Sequence, residues 1–280
     1  VRPIPTSFSI GPLTLHTYGI GLAISFYVAW LYLVRRTREH GYPTDWLVGL
    51  GIVVAVSAVA GARLLHILTN LSVYRAAPMQ AFAIWHGGLS SFGGLLFAVP
   101  AALWWTHRKC PEVAILEGLD IAMPALAAGW CLGRLLGPQL MVAGGGHETT
   151  QWFGMYYAGQ VGRRIPVPII QSIEDGLLLL ALVLLDRRLQ RLAASRPGLK
   201  PPVGALTAVA MVVWGVVRSL DERLWLGEDG HLGSLLVQLA GVALAVGGVW
   251  LGVVVIRRWR AFLATPAPEG LQGSPQLNGA

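Results

Sequence analysis

The sequence predicts an all-α, polytopic membrane protein with about seven transmembrane helices. Three observations lead there. Charged residues make up 12% of the 280 residues and apolar ones 54%, about half the charge that a soluble domain uses to cover its surface. Mean hydropathy is +0.59. Apolar stretches recur at 15–34, 46–69, 86–106, 118–142, 168–185, 203–221 and 232–256, near the length of about 20 residues that crosses a bilayer core.

Each stretch reads as a helix, because a spanning segment in lipid must satisfy its own backbone hydrogen bonds. The first opens with His16 and Tyr18 and runs into Arg35, Arg36 and Arg38, the wrong flank for a cleaved signal peptide. The second carries Arg63 and, one turn on, His66. The third opens with Trp85-His86-Gly87-Gly88-Leu89-Ser90-Ser91-Phe92-Gly93-Gly94. The fourth holds Gly133-Arg134 and leads to Gly144-Gly145-Gly146. Glu174 lies in the fifth, and Arg218 and Glu222 lie four apart at the end of the sixth, a spacing that puts them on one helix face. The seventh is free of charge up to Arg257. Residues 1–263 are thus expected to form one seven-helix domain, with the Pro- and Gly-rich 264–280 a disordered cytoplasmic tail.

Basic residues set the orientation. Thirteen fall on one side: Arg35, Arg36, Arg38, Arg108, Lys109, Arg187, Arg188, Arg191, Arg196, Lys200, Arg257, Arg258 and Arg260. Five fall on the other: Arg2, Arg75, Arg163, Arg164 and Arg223. The richer side is read as cytoplasmic, with the N-terminus outside and the C-terminus inside. Cys110 and Cys131 have no histidine at ligand spacing, so no metal is expected, and the composition excludes a nucleic-acid tail.

The three basic residues left over, Arg63, Arg134 and Arg218, stand inside spans. A membrane arginine is costly and marks a functional site by default. All three lie at a common depth in the outer half of the bilayer, roughly 22–27 Å from the inner face at 1.5 Å per residue. They form an expected cationic pocket for an anionic amphiphile. A phospholipid headgroup fits, because a guanidinium grips phosphate in a bidentate fork. Arg218 and Glu222 as a purely structural ion pair is the competing reading.

At these residues the chain resembles the bacterial prolipoprotein diacylglyceryl transferases, from Phe8 to about Trp225. Gly61-Ala62-Arg63-Leu64 resembles the family's Gly-Gly-Arg. Gly87-Gly88-Leu89-Ser90 with Gly93-Gly94 is similar to its Gly-Gly-Met-Ser-Phe-His-Gly-Gly signature. Gly133-Arg134 with Gly145, and Trp214-Gly215-Val216-Val217-Arg218 with Glu222, resemble two further motifs. The signature histidine falls on Phe92, the motif asparagines on Gly137 and Leu140, and the glutamate on Val142.

The resemblance implies transfer of diacylglyceryl from phosphatidylglycerol to the lipobox cysteine of a preprolipoprotein, in the bacterial inner (plasma) membrane, with the active site toward the outer leaflet. Its implied partners are phosphatidylglycerol, preprolipoprotein signal peptides and the lipid bilayer, with no cofactor. Arg134 and Arg218 are the implied stabilisers of phosphate charge, and His86 stands nearest to the missing histidine as a base. Arg63, His16, Tyr18, Gly145 and Glu222 join Arg134 as lipid-binding residues. The alternatives are an inactive phospholipid- or signal-peptide-binding protein and an amphiphile transporter.

Overall fold

The computed structural model describes residues 7–10, 13–82, 90–137, 140, 144–195, 200–224 and 230–264. The chain opens with an antiparallel hairpin, β1 (Ser7–Ile10) and β2 (Leu13–His16), in which Ser7 pairs with His16 and Ile10 with Leu13. The helices follow as α1 (Thr17–Glu39), α2 (Trp46–Thr69), the short α3 (Leu71–Ala76), a 3₁₀ turn (Pro78–Phe82), α4 (Ser91–Lys109), α5 (Ile115–Leu136), α6 (Val167–Ala194), α7 (Ala205–Asp221) and α8 (Gly230–Ala264).

Each expected span overlaps one long helix, but several boundaries move. Residues 13–16 are strand, so α1 begins at Thr17, and the hairpin qualifies the all-α expectation. Helix α5 stops at Leu136, with the buried Gly137 extended at its end, six residues short of the expected limit at 142. Helices α1, α6 and α8 run on past their apolar stretches to include Arg35–Arg38, Arg187–Arg191 and Arg257–Arg260. Arginine is a good helix former, and cations near a helix C-terminus suit the macrodipole. The apolar run therefore ends before the helix does.

Among the described residues, four helices, Trp46–Thr69, Ile115–Leu136, Val167–Ala194 and the Val237–Ala261 part of α8, are long and apolar enough to cross a membrane. Their outward faces agree with that. Val48, Ile52, Val56 and Val59 on α2, and Leu239, Val242, Val246, Val249 and Val253 on α8, are all exposed. Apolar stripes of this length are foreign to a water-facing surface and suit lipid.

The chain divides into two compact units, residues 1–180 with 224–226, and residues 181–223 with 227–280. In the first, α2 meets α4 at facing glycines. A Cβ on Gly61 would lie 2.5 Å from the Gly93 carbonyl oxygen, and one on Gly93 would collide with Gly61. The Ser90 N–H donates to the Ala62 carbonyl at 3.0 Å beside this contact. Helices α1 and α5 also meet through small residues. A side chain at Gly21 would strike the Leu136 backbone, and a Cβ on Gly129 would touch the Ala29 Cβ at 3.0 Å. In the second unit, α7 and α8 pack through Gly215, Gly241 and Gly248, and the Ser219 hydroxyl donates to the Gln238 carbonyl at 3.1 Å. Between helices in lipid, small residues permit the close backbone approach that dispersion forces require.

Arg36, counted by sequence among the orienting charges, is only 3% exposed. Its Nε donates to the Ile121 carbonyl at 3.0 Å and its Nη2 to the Asp120 carbonyl at 3.3 Å. It ties α1 to α5 instead of marking a solvated face.

The glycine contact of α2 and α4 yields a measurable expectation. Gly61→Val should lower stability by about 1–3 kcal/mol through overpacking, read as a fall in melting temperature in detergent. Gly19→Ala, where nothing lies within 4 Å of the added Cβ, should not lower the melting temperature and should raise it slightly, since alanine favours a helix over glycine.

Candidate functional site

Within the first unit, the sequence-selected residues occupy two settings. Arg63 sits in α2 at 7% exposure. Its Nε donates to the Ala81 carbonyl at 2.9 Å and its Nη2 to the Gln80 carbonyl, while the guanidinium lies 5.3 Å from the centroid of the Tyr74 ring. The arginine thus fastens α3 and the 3₁₀ turn onto α2. His66 belongs to the same assembly. Its ring meets Tyr74 edge-on at 5.9 Å, and the Asn70 amide lies 3.5 Å from its Nδ1. Both residues have packing roles in this region.

Arg134 lies in the last turn of α5, half-buried, where the helix C-terminus favours a cation. Gly133 before it has open space where a side chain would stand. From residue 144 an irregular loop leads to α6. Short backbone pairings hold this loop. The Gly146 N–H donates to Ile165 at 2.9 Å, Thr149 to Arg163 at 2.8 Å, and Met155 and Arg164 exchange bonds at 2.9 and 2.8 Å. Gly162, at φ +77°, turns the chain back, and a side chain there would strike the Glu148 carboxylate. Arg163 donates to the carbonyls of Gly154 at 3.2 Å and Trp152 at 2.7 Å. Arg164 donates to Val161 at 2.9 Å. Its arginines therefore brace the loop from within.

Gly145 is buried in this loop and could not be another residue without rearrangement. An added Cβ would lie 2.6 Å from the Arg164 Cβ, 2.7 Å from the Gln160 Oε1 and 2.8 Å from the Tyr157 ring. Gln160 engages both polar groups of the glycine. Its Oε1 accepts from the Gly145 N–H at 3.0 Å and its Nε2 donates to the Gly145 carbonyl at 3.3 Å. The Tyr157 ring closes the other side at 3% exposure, and its buried hydroxyl makes no hydrogen bond among the described residues. Burial pushes that phenol up to about 12. Gln160 and Tyr157 escaped the sequence reading, because they lie in an irregular loop 15 and 12 residues from Gly145, where no helical or strand period links them.

In the second unit, Arg218 and Glu222 do form an ion pair, Nη2 to Oε2 at 2.8 Å. The pair takes up one corner of the fork only. The Arg218 Nη1 is buried and makes no hydrogen bond among the described residues. A guanidinium held by a carboxylate on one side keeps donors for a phosphate on the other.

The remaining expectations fall partly outside the description. His86 lies outside the described residues, as does the tail from 265 on. His16 ends β2 opposite Ser7 and Tyr18 stands in the first turn of α1, and only their backbones are described, as is the case for Phe92 in α4. The described geometry brings Gly145 together with Gln160 and Tyr157, and Arg218 with Glu222. It gives Arg63 a separate set of partners.

Comparison with known proteins bears on this arrangement. The family model for prolipoprotein diacylglyceryl transferases matches residues 5–257. A phosphatidylglycerol–prolipoprotein diacylglyceryl transferase of Caldanaerobacter subterraneus subsp. tengcongensis is 34% identical over 162 residues, 56% of this chain and 61% of its own length. One so named from Pseudoalteromonas atlantica is 29% identical over 266 residues, 91% of this chain and 90% of its own. One from Pseudomonas paraeruginosa is 28% identical over 263 residues, covering 91% and 94%.

The buried phenol has a pH signature. Free tyrosine titrates near 10, so a phenol raised to about 12 contributes stability below pH ~10 that is lost as pH rises through ~12. Tyr42, raised to about 12 by burial and by its hydrogen bond to Glu117, adds a loss over the same range. Tyr157→Phe should be at least as stable as the parent at neutral pH, since it removes a buried hydroxyl with no hydrogen bond among the described residues. It should also unfold less steeply between pH 10 and 12, as followed by circular dichroism in detergent.

Proposed function

Since the chain belongs to the prolipoprotein diacylglyceryl transferase family, we propose that it transfers diacylglyceryl from phosphatidylglycerol to the lipobox cysteine of preprolipoproteins. The family match over residues 5–257 carries the reading. Sulfur of the lipobox cysteine attacks the lipid glycerol carbon that bears the phosphate ester. A thioether forms, the carbon–oxygen bond to phosphate breaks, and glycerol phosphate leaves with the electron pair. The thiol proton passes to a base.

The chemistry needs cationic donors where the leaving phosphate collects charge, in surroundings of low dielectric. Arg134 and Arg218 are each assigned that role, with Glu222 orienting Arg218. Gly145 joins the lipid-binding set through the loop, which Gln160 and Tyr157 hold in shape around it. Arg63 acts on the lipid side through the turn it fastens at Gln80 and Ala81. His16 and Tyr18, where the first span opens on the outer side, join the lipid-binding set, and His86 takes the thiol proton in place of the residue that Phe92 does not supply.

The domain is read as seven spans over residues 1–263 in a bacterial inner membrane, N-terminus outside, with the site toward the outer leaflet and the signal peptide arriving from the bilayer. The basic asymmetry supports this orientation. A second reading, a phospholipid- or signal-peptide-binding protein without turnover, is favoured by Phe92, Gly137, Leu140 and Val142 at motif positions.

The two readings part in one assay. Membranes holding the protein are incubated with labelled phosphatidylglycerol and a lipobox peptide. Label on the peptide cysteine supports transfer, and binding without label supports the second reading. Arg134→Lys should lose on the order of 10²-fold in rate, because an ammonium cannot form the fork; full activity would remove the phosphate role. His86→Ala should slow transfer strongly, and adding Phe92→His should restore part of it. An unaltered rate in the single variant would dismiss His86 as the base. In intact cells, an impermeant thiol reagent should reach a cysteine placed at position 75 and miss one at position 191. The reverse pattern would invert the topology.

A further inference from the structure

Helix α5 carries Pro124 in its interior, fully buried. Proline has no N–H, so the carbonyl four residues earlier loses its helical donor, and the ring crowds that same carbonyl. That carbonyl belongs to Asp120. The Arg36 Nη2 donates to it at 3.3 Å, and the Arg36 Nε donates to the next carbonyl, Ile121, at 3.0 Å. Arg36 comes from another helix, α1, and is 3% exposed. A guanidinium buried there replaces the amide that proline lacks. It does so where a helix is soft and inclined to bend.

The site lies on the same helix. Arg134 is ten residues beyond Pro124, about 15 Å along the axis. A change of only about 4° in the bend at Pro124 would move the backbone at Arg134 by about 1 Å over that lever arm. A misplacement of about 1 Å can cost roughly 10²-fold in rate. Farther along α5 the contacts with α1 are of another kind, Gly21 against the Leu136 backbone and Gly129 against the Ala29 Cβ. These contacts and the Arg36 bonds follow one antiparallel register of α1 along α5. Arg36 is the polar member of that series and sits at the proline.

We infer that Arg36 is a positioning residue, which sets the direction of α5 at Pro124 and thereby the placement of Arg134. The inference rests on the proposed role of Arg134 at the lipid phosphate. It predicts a specific coupling. The defect left by losing Arg36 should depend on the proline, because Pro124→Ala returns an N–H to the Asp120 carbonyl.

The test compares Arg36→Met, Arg36→Lys, Pro124→Ala and the double variants in the full chain reconstituted with phosphatidylglycerol. Melting temperature and the separate kcat and KM values for transfer to a lipobox peptide are measured. Arg36→Met should lower kcat about 10²-fold with KM for phosphatidylglycerol unchanged. Arg36→Lys should recover part of that loss. Adding Pro124→Ala to Arg36→Met should restore at least about tenfold, a non-additivity expected of groups in contact. A loss of equal size with and without Pro124, or a wild-type kcat in Arg36→Met, would overturn the inference. If Arg36→Met does not insert, the pair Arg36→Lys and Arg36→Lys/Pro124→Ala makes the same comparison. Should wild type and Arg134→Ala be equally inactive, the transferase reading fails. The coupling is then judged on melting temperature alone, where additive losses would overturn it.

Discussion

Main-chain carbonyls that lack a helical or strand donor are the constraint around which the first unit is arranged. In lipid or in a packed interior, such a group costs free energy comparable to a lost hydrogen bond. The protein meets several of them with arginine. Arg36 serves Asp120, whose helical donor the proline removes, and Arg63 serves Gln80 and Ala81 at the 3₁₀ turn. Arg163 serves Trp152 and Gly154, and Arg164 serves Val161. A guanidinium suits this work because its several donors lie in one rigid plane, and its weak hydration lowers the cost of burial.

Helix contacts obey a complementary rule. Without a hydrophobic drive between helices in lipid, association depends on close packing. Gly61 against Gly93, Gly21 against Leu136, and Gly215 with Gly241 each bring backbones together where any side chain would intrude. The outer faces of α2 and α8 keep valine, leucine and isoleucine exposed. Polarity inside and apolar surface outside are thus two consequences of one solvent.

This division of labour sharpens the functional reading. Arginines in a membrane protein of this family invite assignment to the anionic substrate, yet Arg36 and Arg63 spend donors on the chain itself. Arg218 keeps a donor beyond its carboxylate partner. Gly145 is held by Gln160 through both of its peptide groups and is shut in by Tyr157 and Arg164. A glycine so enclosed is a packing position, which holds the loop in one shape.

How much of this was legible in the sequence varies with the physics involved. Composition and apolar length alone determine a helical membrane protein, because a spanning segment has almost no alternative to helix. Ion pairing of Arg218 with Glu222 was also readable, since four residues on a helix set the geometry locally. Boundaries were less so: α1, α6 and α8 continue past their apolar runs because helix propensity and hydropathy are different properties. The roles of Arg36 and Arg63, and the Gln160 and Tyr157 enclosure of Gly145, were decided only by tertiary structure. Arg36 and Asp120 are 84 residues apart, and Gln160 reaches Gly145 across an irregular loop. Whether an arginine faces solvent, substrate or a bare carbonyl depends on which backbone folds against it, and that partner is not encoded in its neighbours along the chain.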